Sequence, residues 1–114
     1  MVSPASFHQL ALSFPEAEEA AHFEKTSFRV RKKIFATHNA AANRACLKLT
    51  EADQFVFSLA AKGVIYPVPN KWGKQGWTNV DLLQVDVELF ADALRKAYCA
   101  VAPAALGNLV ADSD

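Results

Sequence analysis

The sequence has little glycine and no closely spaced cysteine pair, and each shortage excludes a class of protein. Four glycines and five prolines in 114 residues are too few for a low-complexity or disordered chain. Cys46 and Cys99 lie far apart with no histidine close in sequence, so the spacing of a zinc site is missing and we expect small buried thiols. We predict neither a metal nor a cofactor.

Long hydrophobic runs are also missing. No apolar stretch approaches the length that spans a bilayer, and the N-terminus lacks the basic segment and apolar run of a signal peptide. We therefore expect no membrane association and a cytoplasmic location.

Recognisable catalytic motifs are absent as well. The sequence has no glycine-rich phosphate loop, nucleophile elbow or closely spaced carboxylate pair. His8, His22 and His38 are isolated from one another, and we expect satisfied or exposed side chains rather than ligands. Only His38 lies in the basic part of the chain and is a candidate for a binding surface. An enzyme is therefore a minority hypothesis.

Acidic residues are nearly missing from the middle of the chain. Residues 25–74 contain ten basic residues against Glu51 and Asp53, a balance of plus eight from ten minus two. Before residue 25 there are four acids and no base, and after residue 74 there are six acids against two bases. The net charge of zero thus conceals a polarised chain, whose acidic flanks would have to face away from an anionic ligand.

What the sequence has in quantity is apolar material for a core. Hydrophobic residues make up 52% of the chain, with eight Phe, two Trp and two Tyr, enough for a single core in a chain of this length. We predict a single domain over residues 1–114, with residues 103–114 after the last helix as a mobile tail.

Helix signals begin the chain and strand signals follow. Ser3 and Pro4 are typical of a helix start, and Pro15 ends that helix. The acidic stretch from Glu16 to Glu19 is expected to be a solvated turn or short helical connector. Alternating polarity at residues 27–31 and 45–49, and a continuously apolar centre within residues 33–38, then predict three strands of an antiparallel meander.

The second half alternates helices and strands. Thr50 is predicted to cap a helix, which presents one apolar face expected to be buried: Ala52, Phe55, Val56, Leu59 and Ala60. A strand at residues 64–66, a loop at residues 67–76, a strand at residues 77–83 and a helix capped by Asp86 follow. The order α-β-β-β-α-β-β-α predicts an α+β fold, a two-layer α/β sandwich with helices on one face of an antiparallel sheet.

These pieces resemble the MmcQ/YjbR family of small bacterial proteins. The likeness lies in Phe28-Arg29-Val30, Lys33-Ile34-Phe35-Ala36, the proline-rich link before Lys71 and Lys74, Gly76-Trp77-Thr78-Asn79-Val80, and Ala97-Tyr98. The resemblance implies a CyaY-like or secretion-chaperone-like fold with a "double wing" arrangement suggestive of DNA binding, and it transfers no catalytic residues. Relatives favour glycine at the first hairpin turn, where this chain has Arg31-Lys32.

The basic residues predict an anion-binding surface on two loops. If both loops project from one edge of the sheet, their cations would contact phosphates while Trp72 stacks or wedges. The candidate residues are Arg29, Arg31, Lys32 and Lys33 on the hairpin and Lys71, Trp72 and Lys74 on the loop. The alternative interpretation of these residues is a solvated rim.

Two further residues have structural interpretations. Trp77 begins a strand beside Gly76, and we expect its ring in the core. Asp81 ends that strand and is expected to pair with Lys74, with capping or base chemistry as alternatives.

The leading hypothesis is therefore a non-enzymatic protein that binds nucleic acid or another polyanion through these loops. One alternative is a protein-interaction or chaperone-like module that uses the sheet face. Another is a small-molecule or enzymatic pocket between the loop and the sheet.

Overall fold

A six-stranded antiparallel sheet forms the centre of the fold. The structure, a computed structural model, describes residues 1–110. The strands are β1 (Ala17–His22), β2 (Lys25–Val30), β3 (Lys33–Asn39), β4 (Arg44–Lys48), β5 (Ile65–Pro67) and β6 (Trp77–Asp81), in the spatial order β1-β2-β3-β4-β6-β5. This architecture confirms the predicted α+β class.

Five helices accompany the sheet in the part of the chain that the structure describes, and the predicted caps are in place. The helices are α1 (Pro4–Ser13), α2 (Glu51–Ala60), α3 (Lys71–Lys74), α4 (Val87–Val101) and α5 (Ala104–Val110). Ser3 Oγ accepts a hydrogen bond from the Ser6 amide at 3.1 Å, and Thr50 Oγ1 accepts one from the Asp53 amide at 3.1 Å. Within residues 1–110 no helix is both long and apolar enough to cross a membrane.

One face of the sheet is covered by helices and contains the core. Strand alternation directs Phe28, Leu47 and Val80 to this face, where all three are fully buried. Phe7 of α1 packs on Phe28 with ring centroids 5.2 Å apart, and Tyr98 of α4 packs on Phe35 at 5.4 Å.

Within residues 1–110 the four longer helices leave the opposite face uncovered, and only the connection with α3 borders it. This face presents the side chains that alternate with the core residues, among them Thr37, Arg44 and Cys46, and all three are only half-buried. The fold therefore leaves one broad sheet surface available to a ligand.

Strand β1 corrects the prediction for the acidic stretch. Ala17 to His22 pair with β2 in antiparallel register, from Ala17 opposite Val30 to His22 opposite Lys25. The predicted connector is therefore an edge strand. Its glutamates are tolerated because an edge strand exposes many of its side chains to solvent.

Helix α2 buries a different face from the predicted one. Phe55, Val56 and Leu59 are 64%, 59% and 54% exposed, whereas Gln54 and Phe57 are buried. The prediction for this helix was wrong because hydrogen bonds of the Gln54 amide hold that side chain inside and rotate the apolar stripe outward.

The C-terminal segment contains a helix where a mobile tail was expected. α5 buries Leu106, and Gly107 lies close to the backbone of Cys99 in α4. The remainder of the predicted tail, residues 111–114, lies outside the described residues.

Candidate functional site

A groove of about 680 Å³ crosses the uncovered face of the sheet. Its volume lies within the range of small-molecule and cofactor sites. Basic side chains line one end, where Lys25 and Arg44 lie, and aromatic side chains line the other, where Tyr66, Trp72 and Trp77 lie. Two kinds of recognition chemistry therefore meet in one cavity.

Strand pairing creates the basic end. Arg44 opens β4 opposite Asn39, and Lys25 opens β2 opposite His22. Thr26 pairs with His38, so Lys25 lies beside Asn39 on the neighbouring strand. The turns β1–β2 and β3–β4 thus bring two cations and a histidine to the same end of the sheet.

The aromatic end is presented by a tightly constrained connection between β5 and β6. The Asn70 carboxamide oxygen accepts a hydrogen bond from the Trp72 amide at 2.8 Å. A Cβ on Gly73 would lie 1.9 Å from the Val68 carbonyl oxygen, and one on Gly76, where φ is +105°, would lie 2.0 Å from that of Leu49. Only glycine fits at these two positions.

Two side chains from neighbouring elements anchor this connection. Gln54 Nε2 of α2 donates to the Gly73 carbonyl at 2.9 Å and to Thr78 Oγ1 at 3.0 Å. Lys48 Nζ of β4 donates to the Gln75 carbonyl. Trp72, although 49% exposed, is therefore held on a fixed backbone, which reduces the entropy lost on binding.

The groove is electropositive and has no activated nucleophile among the residues described. No Asp or Glu within residues 1–110 lines it. Burial raises the pKa of the Cys46 thiol to about 11, so this thiol stays protonated at neutral pH and is a poor nucleophile. The chemistry available is recognition of an anion with an apolar or aromatic part.

The two predicted loops do share one end of the sheet. β2 and β5 run in the same direction in the sheet, so the β2–β3 turn with Arg31 and Lys32 and the connection with α3 both lie where these strands end. Of the predicted candidates, Trp72 lines the groove. Arg29 lies on the uncovered face, where its Nε donates to Ser27 Oγ at 3.1 Å.

Arg31 does not project as a free cation. Its guanidinium makes two hydrogen bonds to the Glu16 carboxylate, at 2.6 and 3.1 Å, and this contact lowers the pKa of Glu16 below its usual value. The expectation that the acidic flank faces away is therefore wrong here. Pairing of β1 with β2 also places Glu18 opposite Arg29.

The histidines are satisfied or exposed as expected, but His38 does not belong to the binding surface for which it was a candidate. His38 points into the core and is 4% exposed, with its Nδ1 2.9 Å from His8 Nε2. His8 Nδ1 lies 3.6 Å from Glu19 Oε1. Burial, followed by the nearby His8, lowers the pKa of His38. Sequence reasoning missed this pair, and His22 rather than His38 lines the groove.

Trp77 and Asp81 also depart from their predictions. Trp77 is half-buried and lines the groove because β6 directs its neighbour Thr78 to the core face. Asp81 accepts a hydrogen bond from the Leu83 amide at 3.0 Å, and it lies at the end of β6 away from Lys74. It therefore caps a turn rather than pairing with that lysine. Within residues 1–110 no three His, Cys, Asp or Glu side chains are placed to hold a metal ion.

The comparisons with known proteins agree on the fold. A family model described as YjbR matches residues 12–100. The chain is similar to the crystal structure of Deinococcus radiodurans protein DR2400, family-model domain DUF419, with a TM-score of 0.77 and 22% identity, covering 88% of this chain and 78% of that one. No curated protein matches. The family match confirms the resemblance inferred from the sequence.

Proposed function

We propose, from the premise that the chain belongs to the YjbR family, that it binds nucleic acid or another polyanion across its uncovered sheet face. The observation that supports this proposal is the groove, which combines Lys25 and Arg44 with aromatic rings and has no acidic lining residue within residues 1–110. Phosphate contacts by such cations dominate the affinity of nucleic-acid-binding proteins.

The predicted loop residues extend this surface beyond the groove. Lys71 and Lys74 are exposed on α3 beside Trp72, and Lys32 and Lys33 are exposed at the same end of the sheet. Arg29 supplies a further cation on the uncovered face. A polymer that occupies the groove would therefore meet additional positive charge where it leaves, whereas a small anion would not.

The test is a salt titration of binding to a fluorescently labelled nucleic acid. We expect affinity to fall steeply between about 50 and 200 mM salt, since each phosphate contact contributes a logarithmic slope of about −0.7 to −0.9. The double variant Lys25→Gln/Arg44→Gln should bind about tenfold more weakly and reduce that slope by about two.

A matched control removes the same charge elsewhere. Lys62 follows α2 and Lys96 lies on α4, both exposed and neither lining the groove. Lys62→Gln/Lys96→Gln should bind as the unaltered protein does. Equal weakening by the two double variants, or no binding by the unaltered protein at low salt, would overturn the proposal.

One observation favours a second candidate, a protein-interaction or chaperone-like module. Phe55, Val56 and Leu59 form an exposed apolar patch on α2, and exposed apolar patches mark interaction sites. The measurement is light scattering from an aggregating, chemically reduced test protein. Suppression by the unaltered chain that is lost in Phe55→Ser/Leu59→Ser would favour this candidate over the first.

A cytoplasmic location is part of the proposal that the protein binds nucleic acid or another polyanion. Cys46 and Cys99 are both free thiols, which suits a reducing cytoplasm, the compartment where nucleic acid would be met.

A further inference from the structure

The three aromatic residues of the groove leave their rings available to a ligand. Trp72 is 49% exposed, and Tyr66 and Trp77 are half-buried. Within residues 1–110 none of the three rings packs against another aromatic ring. Core aromatics of this protein, such as Phe7, do make such pairs. Lys71 Nζ lies 5.7 Å from the centroid of the Trp72 ring, a cation–π contact that sets a positive charge beside this ring. The groove rings thus have no aromatic partner within residues 1–110 and stand on a rigid support.

Polar side chains lie between these rings and the cations. Thr37 and Asn79 line the middle of the groove, and Asn39 lies beside the two cations at its basic end. Asn79 is only 9% exposed, and its carboxamide has no hydrogen-bond partner among the residues described. A carboxamide offers both donors and an acceptor, and a nearly buried one gains most from a ligand that satisfies it.

The groove is long enough for a short stretch of polymer. Lys25 on β2 and Trp77 on β6 are three strand spacings apart, and they lie about four residues apart along the strand direction. With about 4.8 Å between strands and 3.4 Å per residue, the diagonal is roughly 20 Å. A ligand that spans it must carry negative charge at one end and a planar face at the other.

We infer that the groove takes unpaired bases of single-stranded nucleic acid, with bases stacked on Trp72 and Trp77, the Asn79 carboxamide at a base edge, and phosphates at Lys25 and Arg44. This inference rests on the proposed function and narrows it. Base faces are available in a single strand and hidden in a duplex, so only a single strand uses both ends of the groove.

An exposed aromatic at the basic end extends the same surface. Phe23 is 94% exposed, adopts a left-handed φ of +60°, and its ring lies 5.1 Å from that of His22. The left-handed conformation of Phe23 belongs to the tight β1–β2 turn and leaves its ring in solvent at the basic end of the groove. The Phe23 ring is placed to contact a base where a bound single strand of nucleic acid would pass the β1–β2 turn.

The test compares ligands that share charge but differ in bases. The probes are a thymidine octamer, an abasic octamer of equal charge, a duplex of the same length, and a uridine octamer to separate DNA from RNA. We expect the thymidine octamer to bind at least about tenfold more tightly than the abasic one, with quenching of tryptophan fluorescence as bases stack.

Variants of Trp72 then test whether its ring makes the contact with the bases. Trp72→Ala should weaken octamer binding by about fivefold or more and leave abasic binding unchanged, and Trp72→Phe should recover part of the loss. Phe55→Ala, which removes an exposed aromatic from α2, is the matched control and should change neither.

The outcomes separate the two proposals. Equal, salt-sensitive binding of thymidine and abasic octamers would overturn the base-stacking inference and leave polyanion binding standing. Tighter binding of the duplex would also overturn it. Binding of no probe at low salt would overturn both.

Discussion

The tip of the β2–β3 hairpin and the groove draw their cations from the same basic segment, yet their surroundings differ. At the tip, Arg31 forms a two-pronged contact with Glu16, so its charge is compensated. In the groove, Lys25 and Arg44 share a cavity without an acidic side chain from residues 1–110. Strand pairing also places Asp81 opposite Arg44, yet within residues 1–110 neither groove cation forms an ion pair. Side-chain contacts, not the charge count along the chain, decide which cations are free.

The hairpin tip and the groove also differ in how their backbones are held. The tip residues Arg31 and Lys32 adopt left-handed φ values of +50° and +70°, as a two-residue type I′ turn requires. The aromatic end of the groove is held by close glycine contacts and by the Gln54 amide. At the tip a ligand thus meets an Arg31 that is already paired with Glu16, whereas the aromatic end of the groove is a surface held in place before binding.

The largest expected effect comes from disrupting the β5–β6 connection, which holds the aromatic end of the groove, while the tip of the β2–β3 hairpin stays intact. Gly73→Ala forces a Cβ against the Val68 carbonyl and should destabilise the protein by about 2–3 kcal/mol. Denaturant unfolding measures the loss. Gly107→Ala, where the added Cβ meets atoms only at 3.9 Å, should cost less than about 0.5 kcal/mol, and equal costs would contradict the close approach.

The next effect contrasts the two charge sets directly. Arg31→Gln/Lys32→Gln should weaken nucleic-acid binding by less than about threefold, against the tenfold loss expected for Lys25→Gln/Arg44→Gln. Fluorescence anisotropy of a labelled nucleic acid at one low salt concentration is sufficient to compare the affinities of the two double variants. A tip variant that loses as much as the groove variant would show that the hairpin dominates.

A smaller effect on the affinity for a polyanion should follow when Arg31 loses its ion-pair partner Glu16. Glu16→Gln removes the compensating carboxylate and should raise affinity for a polyanion by about twofold at neutral pH. In the unaltered protein the folded pKa of Glu16 lies below its ordinary value of 4.5. The pair therefore persists at neutral pH, and its contribution is lost as pH falls below 4.5 through the folded pKa. Glu88→Gln, at an exposed position of α4 on the helix-covered side of the sheet, is the comparison variant, and a gain at neutral pH from it alone would argue against this pairing.

The smallest effect concerns strain at the tip. Lys32→Gly relieves a left-handed conformation at a cost in unfolded-chain entropy, so a net stabilisation of under about 1 kcal/mol is expected. Lys33→Gly, one residue later in β3, should instead destabilise by about 0.5–1 kcal/mol. Thermal unfolding of both variants measures the two changes in stability. If both variants were stabilised, or both destabilised, the prediction would be wrong.

Much of the fold could be predicted because local patterns control it. Alternation in β2 and β4, the apolar centre of β3 and the caps at Ser3 and Thr50 are short-range signals that the structure confirms. β1 was missed because its sequence, rich in alanine and glutamate, has little intrinsic strand preference. The buried face of α2 was missed because a tertiary hydrogen-bond network, invisible in the sequence, directs Gln54 inward.

The candidate site was harder to predict for a related reason. Trp72 was found from its own loop, but Lys25 and Arg44 become neighbours only through the pairing of three strands. A signal was present, since polar residues occupy every second position from Lys25 to Arg29, and Arg44 and Lys48 have the same spacing on either side of Cys46. That period of two predicts an uncovered polar face, although the partners of each strand, and the contact of His8 with His38, depend on tertiary structure.

The two edges of the sheet bear on how the protein behaves at high concentration. An open sheet can add a strand from another molecule, which leads to polymerisation. Here one edge is β1, which carries Glu18 and Glu19, and the other is β5, which has three residues and ends in Pro67. Charge repulsion on one side, and a short strand ending in a residue without an amide hydrogen on the other, both disfavour such addition. The protein can keep a bare sheet face without inviting its own aggregation.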